Sequence, residues 1–139
     1  MQSLPGGEKG KTVVKQVVVL AVQERARLDD EQLRVLNAHL GTDVAEDVIC
    51  RALEELAVRL SVIERACKQK DRSKIRKNAR ALASVARQIG MVGLTSVATD
   101  VARCIKDTDD IAMAAIVARL IRVGETSLTA IWDFQDNRI

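Results

Sequence analysis

A chain of 139 residues, 47% hydrophobic and 29% charged with a mean hydropathy of +0.00, suits one domain that buries about two-thirds of its unfolded surface. That balance excludes wholesale disorder, collagen-like repeats and a multi-span membrane protein. One Pro, one Phe, one Trp and no Tyr leave the chain poor in turn formers and strand-favouring aromatics, so an all-α fold is expected.

Residues 1–10 read as a flexible lead-in. Lys9, Lys11 and Lys15 precede an apolar run from Val17 to Val22, but the run is short, interrupted and lacks a small-x-small cleavage site, so a cytoplasmic rather than secreted protein is expected. The segment Gly6–Thr12 imitates a phosphate-binding loop, yet Pro5 stands where its first glycine is required and no strand precedes it. Over residues 11–28, Val13, Val14, Val17, Val18 and Ala21 recur at helical spacing. This N-terminal helix has no obvious place in a self-contained bundle and could lie across it or pair with a second copy of the chain.

Asp29, with Gln32 three residues on, caps a short helix lined by Leu33, Leu36 and Leu40 and stopped by Gly41. Thr42 or Asp43 then caps a long helix to about Lys68 carrying Val44, Val48, Leu53, Leu56, Leu60 and Ile63. Asp71 or Ser73 starts the next, through Ile75, Ala79, Leu82, Ala86 and Ile89 to the stop at Gly90. Another follows from Val92 to about Lys106. After the acidic turn 107–110, Ile111, Ala115, Val117, Leu120, Ile121, Leu128, Ile131 and Trp132 mark the last helix. Short connections between four long helices predict an antiparallel up-down four-helix bundle over residues 29–134, with one or two extra N-terminal helices as a lid or dimer contact and a tail at 135–139.

The inventory for catalysis is thin. His39 is the single histidine, which excludes a multi-histidine metal site and leaves few general-base candidates. Cys50, Cys67 and Cys104 form no C-x-x-C pair, and reduced, mostly core thiols are expected. Neither paired carboxylates at a fixed helical spacing nor an activated nucleophile stands out. No catalytic residue, metal or cofactor is expected, and no enzyme.

The informative feature is charge. Residues 65–80 hold eight basic side chains and one acid, a sum of +7 that leaves −4 for the rest of a chain of net charge +3. Such a field attracts an acidic or phosphorylated partner. At about 100° per residue, Ser73, Arg76, Lys77, Ser84 and Arg87 all lie within about 60° of Arg80, opposite Ile75, Leu82, Val85 and Ile89. Arg76, Arg80, Ser84 and Arg87 therefore project outward as a stripe, the small Ala83 and Ser84 leave a shallow place beside Arg80, and Asn78 turns inward as a hydrogen-bonded core residue.

The run Arg80-Ala81-Leu82-Ala83-Ser84-Val85-Ala86-Arg87-Gln88-Ile89-Gly90, followed by Leu94, resembles the motif of histidine-containing phosphotransfer (HPt) domains, His-x-Leu-Lys-Gly-Ser-Ala-x-x-Leu-Gly and a later Leu. Leu82, Ala86, Ile89, Gly90 and Leu94 match in register, and the resemblance extends over residues 29 to about 134. It implies a four-helix bundle of a two-component phosphorelay. Arg80 stands at the phosphorylated histidine, Ala83 at the lysine and Ser84 at the close-packing glycine. A guanidinium stays protonated and offers donors only, so phosphotransfer is not implied. What the resemblance leaves is a docking face of Arg76, Lys77, Arg80, Ala83, Ser84 and Arg87 for a response-regulator receiver domain or a histidine kinase, in which Arg80 pairs with receiver carboxylates. A helical oligomerisation module and a nucleic-acid-binding protein are the alternatives, the latter weakened by the absence of interleaved aromatics.

Overall fold

The computed structural model describes residues 28–136; the lead-in expected over residues 1–10 and all of the N-terminal helix expected over residues 11–28 except Leu28 lie outside the described residues, as does the end of the tail, and Leu28 itself forms a bridge with Met91 rather than a helical turn. Five α-helices follow in order: α1 (Asp30–Leu40), α2 (Thr42–Lys68), α3 (Arg72–Gln88), α4 (Val92–Cys104) and α5 (Asp110–Asp136), with a short 3-10 turn at Ile105–Asp107 after α4. Each of the four long helices packs on the next, and α5 closes the ring against α2. This is an all-α antiparallel bundle with one additional short helix. Among the described residues no helix is long and apolar enough to cross a membrane.

Local chemistry sets most helix ends. The Asp29 carboxylate accepts from the Gln32 N–H at 3.0 Å and Asp71 from Lys74 at 3.1 Å, each satisfying one orphan donor of a first turn. Gly41 ends α1 at φ +80°, a backbone region that an L side chain rarely adopts. The expected side-chain cap of α2 by Thr42 or Asp43 is not formed. Gly41 itself occupies the cap position, with its carbonyl accepting from Ala45, because α1 and α2 are separated by that one residue alone.

The core is a layered stack of Ile49, Leu53, Leu56, Leu60 and Ile63 from α2, Ile75, Leu82 and Ile89 from α3 and its end, Leu94 and Val101 from α4, and Met113, Val117, Leu120 and Ile131 from α5. Several expected core positions are corrected. Val44 and Val48 are 52% and 38% exposed, because the buried register of α2 starts one residue later, at Ala45 and Ile49. Ile111, at 83% exposure, and Trp132 likewise fall off the α5 stripe that Met113, Val117, Leu120 and Ile131 define. The cysteines also depart from expectation: Cys50 is exposed and Cys67 and Cys104 are half-buried, so none is a fully enclosed core thiol.

The short helix expected as a lid or dimer contact is tied into the bundle. Leu33 is fully buried, and Gln32 Nε2 donates to the carbonyls of Arg87 and Gln88 at 2.8 and 2.9 Å. Gln32 thus caps the C-terminus of α3 rather than completing a reciprocal box on its own helix.

Candidate functional site

Asp71 starts α3 and Gly90 ends it, and within that frame Ile75, Asn78, Ala79, Leu82, Ala83 and Ala86 face the interior. Asn78, buried as expected, donates to the Lys74 carbonyl at 2.9 Å and accepts from Arg59 Nη1 of α2 at 2.9 Å. That pair fixes the rotation of α3 and so aims its opposite face.

On that face an open groove of about 390 Å³ runs between α3 and α4, lined by Arg76, Arg80, Ala83, Ser84 and Arg87 from α3 and by Thr99, Ala102 and Arg103 from α4. Arg80, Ser84 and Arg87 are exposed, whereas Ala83 is only 6% exposed and serves as floor. Arg76 is half-buried rather than fully outward, with its Nε enclosed and without a hydrogen-bond partner. Lys77 is exposed on α3 but does not line the groove.

Charge in the groove is uncompensated from within its lining, which contains no acid. Arg76, Arg80 and Arg87 make no ion pair among the described residues, while exposed Arg103 approaches exposed Asp100 at 4.0 Å, a loose and screened contact. The Thr99 hydroxyl spends its proton on the Thr95 carbonyl at 2.7 Å. The groove's donors are therefore guanidinium groups together with the Ser84 hydroxyl.

The basic stretch splits in three dimensions. Lys70 Nζ and Arg72 Nη2 both reach Asp110 at the start of α5, at 3.0 and 2.9 Å, and Arg72 also donates to the Thr108 carbonyl. The hydrogen bond from Arg72, then that from Lys70, holds the Asp110 carboxyl below its usual range. These two cations staple loops together, and the groove cations remain for a ligand. Sequence reasoning missed Thr99, Ala102 and Arg103. The signal was present: Arg80 and Thr99 lie ten and nine residues on either side of Gly90, and Arg76 and Arg103 fourteen and thirteen, so an antiparallel hairpin brings each pair together.

His39 is exposed in the last turn of α1, away from the groove lining. Among the described residues no group of three or more His, Cys, Asp or Glu side chains is placed to hold a metal ion.

No family model matches the chain, and no curated protein sequence matches it significantly. Its structure is similar to the crystal structure of histidine-containing phosphotransfer protein B (HptB) from Pseudomonas aeruginosa PAO1, with a TM-score of 0.69 at 16% identity over 81% of this chain and 96% of that one. A likeness of backbone at that identity speaks to architecture and not to chemistry. The bundle of this chain has the fold of a histidine-containing phosphotransfer protein.

Proposed function

We propose that the chain is a non-catalytic HPt-like signalling module of a two-component phosphorelay, binding a receiver domain or histidine kinase in the cytoplasm through the basic face of α3. The observation that carries this reading is Arg80. By the sequence resemblance it stands at the position of the phosphorylated histidine, and it lines an acid-free groove. A receiver's phosphoacceptor pocket is acidic, and a guanidinium presented to it forms charge-assisted hydrogen bonds where a histidine would accept a phosphoryl group. Arg76, Arg87 and Lys77 extend the cationic face, and small Ala83 and Ser84 let a partner surface approach the helix closely.

The test is a binding titration of the full chain against receiver domains of its own organism, with and without a phosphoryl mimic, in moderate salt. Saturable binding to one or two receivers, lost on the double reversal Arg80→Glu and Arg87→Glu, is the expected result. Binding that survives this reversal places the docking surface elsewhere, and binding to no receiver or kinase removes the reading.

A further inference from the structure

The groove has a property that docking to carboxylates does not require. Four guanidinium groups from two helices, Arg76, Arg80, Arg87 and Arg103, border one space of about 390 Å³, large enough for a small ligand. At about 1.5 Å rise per residue, the Arg76 and Arg87 backbones stand about 16 Å apart along α3, so the two side chains border the groove at separate points along the helix. Arg80 lies between them and Arg103 faces them from α4. The Nε of Arg76 is buried and unpartnered, a donor whose desolvation is offset only when an acceptor enters.

We infer that the groove binds a compact oligophosphate, the di- or triphosphate portion of a small molecule, on Arg103 together with the α3 guanidinium groups that the docking reading uses. An oligophosphate concentrates several negative charges in a short chain and offers oxygens on every side, matching a row of planar forks. Single-stranded nucleic acid fits less well, because the groove lining contains no aromatic ring on which a base could stack. Competition between the oligophosphate and a receiver rests on the proposed function; binding of the oligophosphate itself does not.

The experiment is calorimetric titration of the full chain with inorganic tripolyphosphate in moderate salt, with ATP, orthophosphate and a short single-stranded oligonucleotide as parallel arms. The expected result is saturable one-to-one binding of tripolyphosphate, weaker for orthophosphate, and weakened about tenfold by Arg80→Ala or Arg103→Ala in variants with unchanged circular dichroism. Arg51→Ala, which removes an exposed cation on α2 paired with Asp47, leaves it unaltered. ATP binding as tightly as tripolyphosphate identifies the phosphate chain as the part recognised, and ATP binding more tightly identifies a nucleotide as the source. Absence of saturation, equal losses for Arg51→Ala and Arg80→Ala, or an oligonucleotide that binds more tightly than tripolyphosphate each overturns the inference. Because no receiver is present in this titration, its failure leaves receiver docking standing, and failure to bind receivers leaves the oligophosphate site standing.

Discussion

The backbone N–H of Asp29 donates to the carbonyl of Gly90 at 2.6 Å, so the start of α1 is clamped to the turn that joins the two helices of the groove. Leu28 and Met91 run antiparallel as a single bridge beside it. Gly90 adopts φ +77°, and a Cβ there would stand 3.1 Å from the Asp29 carbonyl oxygen and 3.3 Å from its Cβ. Backbone conformation and close approach thus both call for glycine at this position. Gly90→Ala is expected to lower the unfolding free energy by about 2 kcal/mol, from left-handed strain and displacement of Asp29. Chemical denaturation checks this, and a loss below about 0.5 kcal/mol, the size of an ordinary surface change, would show that the turn relaxes freely.

A second close approach joins α5 to α2. An Ala at position 124 would place its Cβ 2.6 Å from Leu60 Cδ1 and 3.0 Å from Cδ2, and Leu60 is buried in the core. Helix propensity favours Ala over Gly by about 1 kcal/mol, while overpacking costs about 1–3 kcal/mol. Gly124→Ala is therefore expected to destabilise by about 1 kcal/mol net. In the double variant with Leu60→Ala the two losses do not add, because the new methyl enters space that Leu60 vacates; a coupling of about 1 kcal/mol or more in the double-mutant cycle is the expected signature. Additive losses would place the helices further apart than described.

Most of this architecture was legible because helix ends are local chemistry. Asp29, Asp71, Gly41 and Gly90 terminate helices within a turn of themselves, and the bounds read from them agree with the structure. The start of α2 was not legible in the same way. Val44 and Val48 share the four-residue spacing of Ala45 and Ile49, and only the neighbouring helices decide which pair is buried. On the site, one face of α3 could be read from periodicity, and the contribution of α4 required the hairpin register about Gly90. The neutralisation of Lys70 and Arg72 by Asp110 joins residues 38 or more apart, a pairing that charge composition alone does not reveal.

That pairing makes stability depend on pH in a defined direction. The folded Asp110 carboxyl titrates below its unfolded value, so its contribution is whole above the unfolded pKa of about 4 and is lost as pH falls through the lower folded value. Asp110→Asn removes the charge and with it this dependence. The variant is expected to be less stable than the parent near neutral pH, with the difference shrinking as acidification proceeds below the unfolded value and through the lower folded one. Thermal unfolding across that range provides the measurement. A difference that stays constant throughout would show that the loss does not come from the charge.

A histidine placed at position 80 distinguishes a docking face from a surface that only shares the fold. Arg80 is exposed at the groove, so a histidine at that position is sterically accommodated. Its neighbours Arg76, Arg87 and Arg103 are cationic and favour the uncharged imidazole, the form whose ring nitrogen is nucleophilic. If a receiver docks with its phosphorylated aspartate over this point, attack by that nitrogen on phosphorus forms the N–P bond, breaks the acyl phosphate and returns the carboxylate to the receiver. The parent chain, with donors alone at this position, is expected to acquire no label from a phosphorylated receiver that binds it. Arg80→His is expected to acquire acid-labile label, and Arg80→Gln none. Label on the parent chain would identify a nucleophile elsewhere and contradict the non-catalytic reading. An unlabelled Arg80→His that still binds the receiver would show that docking does not centre on position 80, because the attacking nitrogen must come within about 3.5 Å of phosphorus for transfer to proceed.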